Sequence, residues 1–98
     1  MNMIKTLNGT ALTIAVEGRL DTVTAPELER ELPKALSGVT ELTIDCANLE
    51  YISSAGLRAL LAAYKIMRDQ GSMKITNINE IVKEVFEVTG FSNFLPIE

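Results

Sequence analysis

The sequence predicts an α/β fold of two layers, a mixed sheet of four to five strands with helices packed on one face. Strand-like segments alternate with segments of helical periodicity, and such strand–helix–strand units favour parallel pairing through right-handed crossovers. Within the strand-like segments apolar and polar residues alternate, whereas a sheet buried on both faces would show near-continuous apolar runs. A hairpin signal near the N-terminus adds one antiparallel pair, which makes the sheet mixed.

The elements follow in order β-β-α-β-α-β-α-β. Ile4 to Leu7 and Ala11 to Glu17 read as strands joined near Asn8-Gly9. In the second, Leu12, Ile14 and Val16 point one way and Ala11, Thr13 and Ala15 the other. Gly18-Arg19-Leu20-Asp21 then leads to a helix with Thr24 as the expected N-cap and Pro26 in its first turn. Its stripe is Leu28, Leu32, Ala35 and Leu36, and it ends near Gly38. Pro33 removes a backbone donor and is expected to kink or shorten this helix. Glu41 to Cys46 is a third strand and Ala47 to Ile52 a connection. A second helix runs from Ser54 to about Asp69, with Leu57, Leu60, Leu61, Tyr64 and Met67 on one face. Ser72 to Thr76 is a fourth strand. Ile78, Ile81, Val82, Val85, Phe86 and Thr89 space a third helix closed by Gly90, and Phe94 to Ile97 reads as a short last strand.

A length of 98 residues suits one domain spanning residues 1–98. The net charge is -4 and the nine Lys and Arg residues form no stripe, which argues against direct nucleic-acid binding. The single cysteine, Cys46, sits in an apolar strand pattern and reads as a small core residue in a reducing compartment. The first residues lack a signal-peptide layout, and no apolar run approaches the roughly 20 residues of a membrane span. A cytoplasmic protein without membrane contact is therefore expected. The chain has no histidine, hence no Ser-His-Asp set and none of the commonest zinc ligand. Its glycines are isolated, so no phosphate-binding loop is present. Asp45 falls on the polar face of its strand and reads as solvated. No catalytic residue, metal or cofactor is expected, and the chain does not read as an enzyme.

What remains is the stretch Tyr51-Ile52-Ser53-Ser54-Ala55-Gly56-Leu57. Ser53 or Ser54 can cap the adjoining helix, an interaction worth about 1 kcal/mol. A hydroxyl at a helix start can also carry a phosphate, with a charge of about -1.5 to -2, at the positive end of the helix dipole. Spacing alone leaves both uses open, and both serines.

Gly18-Arg19-Leu20-Asp21, the strand Leu42-Thr43-Ile44-Asp45 and the run from Leu49 through Ser53-Ser54-Ala55-Gly56-Leu57-Arg58 to Leu61 resemble the STAS family of anti-sigma factor antagonists. Ile75-Thr76-Asn77 and Val85 to Phe91 fit the same family, so the resemblance spans nearly the whole chain. It implies a bacterial partner-switching protein. The unphosphorylated form would bind an anti-sigma factor that is also an ATP-dependent serine kinase, freeing a sigma factor. Phosphorylation would release it, and a separate serine phosphatase would restore it. Alignment on Gly56-Leu57 places the phosphorylated position at Ser54. The family often has Asp immediately before that serine; Ser53 stands there, which makes it the alternative site. The resemblance also implies partner contacts at Asp21, Thr22, Ser53, Ser54, Gly56, Leu57 and Arg58. Many members continue into another helix beyond the last strand, so here that helix is expected to be absent or Gly90 to Phe94 to form a shorter turn. The competing reading is an accessory or scaffold STAS domain, in a transporter or signalling complex, with no phosphorylation switch.

Overall fold

The computed structural model describes residues 1–98 and contains one sheet system and three α-helices. Strands β1 (Asn2–Asn8) and β2 (Ala11–Leu20) form an antiparallel hairpin in which Asn8 faces Ala11 across the two-residue loop Gly9-Thr10. β2 is long enough to carry neighbours along both edges. β3 (Glu41–Asp45) pairs with it in parallel from Ala11 to Ala15, and β5 (Ser72–Thr76) pairs in parallel with β3. The order across the main sheet is β1-β2-β3-β5.

The segment read as a plain connection, Ala47 to Ile52, contains a further strand. β4 (Leu49–Ile52) pairs in parallel with Gly18 to Leu20 of β2. Between Ala15↔Asp45 and Leu20↔Ile52 the register offset rises from 30 to 32 residues, so β4 continues past β3 along β2 after extra residues have been absorbed. Such bulges bend a strand and change the direction in which the chain leaves it. β2 likewise extends through Leu20, beyond the expected end at Glu17, because β4 supplies the partner for its last residues.

Helix α1 (Ala25–Ala35) buries Ala25, Leu28 and Leu32, and α2 (Ser54–Gln70) buries Leu57, Ala59, Leu60, Ala63 and Met67. Both lie on the side of the sheet where Leu12, Ile14, Val16, Leu42, Ile44 and Ile75 are fully buried; Ala11, Thr13, Ala15 and Thr43 on the other face are only half-buried. Pro33 leaves α1 intact for two more residues. It and Glu29, whose carbonyl loses its donor, both sit on the exposed side, where water can replace the missing bond. α3 (Glu80–Thr89) starts later than Ile78 because Asn79 caps it, its side-chain oxygen accepting from the Val82 N–H at 2.8 Å. That start puts Val82 and Phe86 inside and leaves Ile81, expected in the buried stripe, 60% exposed. After Gly90 the chain makes a 3-10 turn over Phe91–Asn93, and the last strand expected at Phe94 to Ile97 is reduced to a single bridge between Ile97 and Ile75.

Cys46 is buried in the core, and that burial, with the charge of Asp45 adding to it, pushes its thiol up to about 12. No helix is long and apolar enough to cross a membrane.

Phe86 is the largest fully buried side chain and joins α3 to the core. Phe86→Ala is expected to cost about 3–5 kcal/mol, the usual loss for emptying an aromatic site. Urea unfolding followed by circular dichroism measures it, and a loss under about 1 kcal/mol would contradict this packing.

Candidate functional site

The last pairs of β2 with β4 are Arg19↔Tyr51 and Leu20↔Ile52. Asp21 and Ser53 are the next residues on each strand, so the two turns leave the sheet side by side. The Ser53 N–H donates to the Leu20 carbonyl at 3.0 Å, which extends the pairing into the turn. Gly56 lies directly over the same carbonyl: a Cβ there would stand 2.6 Å from Leu20 O and 2.7 Å from Ile52 Cγ1. A side chain is excluded by backbone it cannot push aside, and this is why glycine stands in the first turn of α2.

The two hydroxyls occupy separate places. Ser53 is the N-cap in extended conformation, its oxygen accepting from the Gly56 N–H at 3.4 Å, while its carbonyl accepts the Leu57 N–H at 2.9 Å. Ser54 is the first residue of α2, is exposed, and its hydroxyl has no hydrogen-bond partner within the chain. No acidic residue occupies the first turn of α2, so the positive end of a 17-residue helix is left without a neutralising side chain. Arg58 is exposed and stands one helical turn from Ser54 on the same face. Gly56 and Leu57, by contrast, are buried. The expectation that they sit at a partner surface is corrected: their place is under the turn, where they set its approach to β2 and anchor it in the core.

The neighbouring turn is held by its own carboxylate. Asp21 Oδ1 accepts the backbone N–H of Val23 at 3.0 Å and of Thr24 at 3.2 Å. Thr24 is the N-cap residue of α1, as expected from the sequence, but its side chain makes no capping bond. Its hydroxyl instead donates back to the Arg19 carbonyl at 2.8 Å and accepts the Asp21 N–H at 2.9 Å. The Thr24 N–H foremost, then the Val23 N–H, the Thr24 hydroxyl and the Arg19 guanidinium, hold the Asp21 carboxyl below its ordinary value of 3.8 against a smaller opposing effect of desolvation. Thr22 and Val23 are exposed, Val23 at 80%. Arg19 lies 3.6 Å from Asp21 Oδ2 and 4.4 Å above the Tyr51 ring. The contact between Arg19 and Tyr51 has no signal in the sequence, because what joins them is a pairing between strands 32 residues apart.

No group of three or more His, Cys, Asp or Glu side chains is arranged to hold a metal. Asp45 ends β3, away from these turns, and its carboxylate accepts from the Ala47 N–H and the Asn77 side chain, both at 3.0 Å. A cleft of about 410 Å³ over Ala11, Thr13, Thr43 and Lys74 does not include the serine turn.

Two outcomes are expected from this geometry. Gly56→Ala should destabilise the fold by about 1–3 kcal/mol, because the atoms met are backbone; chemical denaturation decides, and a neutral change would mean that the turn is not packed this closely. Asp21 should titrate below 3.8 when folded. The turn binds the charged form, so its contribution to stability is complete above the ordinary carboxylate value and is lost as pH falls through the lowered one. NMR titration of the Asp21 carboxyl should show the Val23 and Thr24 amide shifts moving with the same midpoint. A midpoint at or above 3.8 would contradict the hydrogen-bonded turn.

The chain matches the STAS domain family model over residues 2–98. It is 35% identical over 88 residues to BtrV of Bordetella bronchiseptica, covering 88% of this chain and 76% of that protein. It is 26% identical over 91 residues to the anti-sigma-B factor antagonist of Bacillus subtilis strain 168, covering 92% and 84%. In fold it is similar to an anti-sigma factor antagonist from Mycobacterium paratuberculosis, with a TM-score of 0.87 at 23% identity over 98% of this chain and 83% of that one. A phosphorylated form of the Bacillus cell fate determinant SpoIIAA superposes with a TM-score of 0.75 at 16% identity, covering 99% and 91%. With its serine turn, its mixed sheet and this agreement along its length, the chain belongs to the STAS domain family of anti-sigma factor antagonists.

Proposed function

We propose that the unmodified chain binds an anti-sigma factor with ATP-dependent serine kinase activity in the cytoplasm, which frees a sigma factor, and that phosphorylation of Ser54 ends the binding. One observation carries this reading. Ser54 presents a free, exposed hydroxyl at the N-terminus of α2 while Ser53 does the capping. Modification of Ser54 therefore costs the helix no cap. Nothing in the chain hydrogen-bonds to the Ser54 hydroxyl to activate it, so the partner must supply both the nucleotide and the base. The Ser54 Oγ–H would give up its proton to that base, Oγ would take the γ-phosphoryl group of ATP, and ADP would leave.

The contact surface comprises Asp21, Thr22, Ser53, Ser54 and Arg58, with Gly56 and Leu57 holding the turn beneath. Added phosphate brings a charge of about -1.5 to -2 to a surface that already carries the ionised Asp21. The N-terminus of α2 and Arg58 favour that charge locally, so the fold survives. A partner seated over the turn loses its fit to a bulky hydrated anion, which is how a local charge changes association without refolding. A separate serine phosphatase would reset the surface.

The test is incubation with the candidate kinase and ATP, followed by mass spectrometry. One phosphate on Ser54 is expected. Phosphate on Ser53 overturns the division of roles, and its absence from both serines sinks the switch in favour of a scaffold role. Ser54→Glu should weaken partner binding while the circular dichroism spectrum stays native. Ser53→Ala should cost about 1 kcal/mol of stability through loss of the cap, whereas Ser54→Ala should abolish modification at little cost in stability.

A further inference from the structure

The two outer edges of the main sheet are treated differently by this chain. At β5 the C-terminal residues fold back on the edge: the Ile75 N–H donates to the Pro96 carbonyl and the Glu98 N–H to the Ile75 carbonyl, each at 2.8 Å. At β1 nothing covers the edge, and every residue of the strand except Met3 is exposed. The usual guards of an open edge are missing there. β1 has no proline and no bulge, and its one charged residue, Lys5, is turned onto α1, where it pairs with Glu31 at 3.0 Å. Ile4 and Leu7 are 52% and 63% exposed. An unbulged, partly apolar edge of seven residues is a template for another strand.

The hairpin determines which backbone groups are free. Gly9 has φ +66 and Thr10 is not among the positive-φ residues, the pattern of a type II′ two-residue loop. Asn8 and Ala11 are therefore a hydrogen-bonded pair, and the alternation continues through Thr6, Ile4 and Asn2, whose N–H and C=O groups face β2. Those of Met3, Lys5 and Leu7 face outward. These free groups, spaced by two residues, match a second copy of themselves run antiparallel about a two-fold axis.

Side chains then select the register. Centring the axis on Lys5 would oppose two ammonium groups. Centring it on Thr6 would set Ile4 against Asn8 of the other copy and leave it half solvated. Centring it on Ile4 sets Ile4 on its own symmetry mate on the open face. On the helix side the same register puts Lys5 opposite Met3 and Leu7 opposite Met1, with no like charges facing. We propose that β1 is a homodimer edge, pairing antiparallel with β1 of a second copy about a two-fold axis through Ile4, so that the sheets of the two copies become continuous. The paired segment lies along Ala11 to Glu17 of β2, whereas the serine turn hangs from Leu20, so the dimer leaves Ser54 open.

The full chain tests this directly. Sedimentation of the wild type should show a concentration-dependent dimer, and hydrogen exchange should show the Met3 and Lys5 amides gaining protection as concentration rises while the Val23 amide does not. Ile4→Cys should give a reducible disulfide-linked dimer under mild oxidation, because opposed residues that do not share hydrogen bonds have Cα atoms roughly 4.5 Å apart. Thr6→Cys should stay monomeric in a denaturing gel. Ile4→Glu should shift the wild-type equilibrium to monomer with native circular dichroism. A wild type that is monomeric at every concentration, with no added protection at Met3 and Lys5, overturns the proposal; cross-linking through Thr6 but not Ile4 overturns its register.

Discussion

The carbonyl of Leu20 is where the sheet hands over to the paired turns at Asp21 and Ser53. It accepts the Ser53 N–H, and Gly56 packs on it closely enough to exclude any side chain. This one contact sets how α2 leaves the sheet, and so where Ser54 stands. It also ties the serine turn to the turn at Asp21, since both begin one residue beyond the Leu20↔Ile52 pair. The rest of the architecture supports that contact. β2 must reach Leu20, β4 must follow β3 along it with a shifted register, and the stripe of Leu57, Leu60 and Met67 must hold α2 down from the other side.

The two turns are stiff for different reasons. The serine turn is held from below, by a glycine with no room and a leucine in the core. The Asp21 turn is held from within, by a carboxylate and a hydroxyl that satisfy the backbone around them. Under the proposed function, exposed groups such as Thr22, Ser54 and Arg58 are displayed on a frame that loses little freedom on binding, and preorganisation of this kind favours affinity. The same stiffness suits a switch operated by charge. In the proposed switch, a phosphate added to Ser54 changes what that surface can bind and leaves the hydrogen bonds that build the turn untouched.

Much of this was legible in the residues because it rests on local rules. The alternation in β2 and β3 marked the buried face, the spacing of Leu57, Leu60 and Met67 marked α2, and the Ser-Ser-Ala-Gly-Leu run marked the turn. The failures fall where long-range pairing overrides local preference. β4 was hidden because Leu49 to Ile52 is short and takes its strand conformation from pairing with Gly18 to Leu20. Periodicity puts Ile81 beside Val82 and Phe86, yet α3 begins only after the Asn79 cap, and Ile81 in its first turn is left exposed while the other two are buried. Thr24 stands at the N-cap of α1 as its residue type suggests, but its hydroxyl is drawn away from capping by the Arg19 carbonyl.

The layer order, the mixed sheet and the position of the serine pair follow from local residues, since hydrophobic period and turn chemistry act over a few positions. The sequence by itself left Ser53 and Ser54 interchangeable, because either hydroxyl can cap a helix whose start is uncertain by one residue. Tertiary structure decided between them. The Leu20 carbonyl captures the Ser53 N–H, Gly56 must lie over that carbonyl, and the helix can then begin only at Ser54. Which serine faces solvent is thus decided by a contact between residues more than thirty positions apart, and no local pattern encodes such a contact.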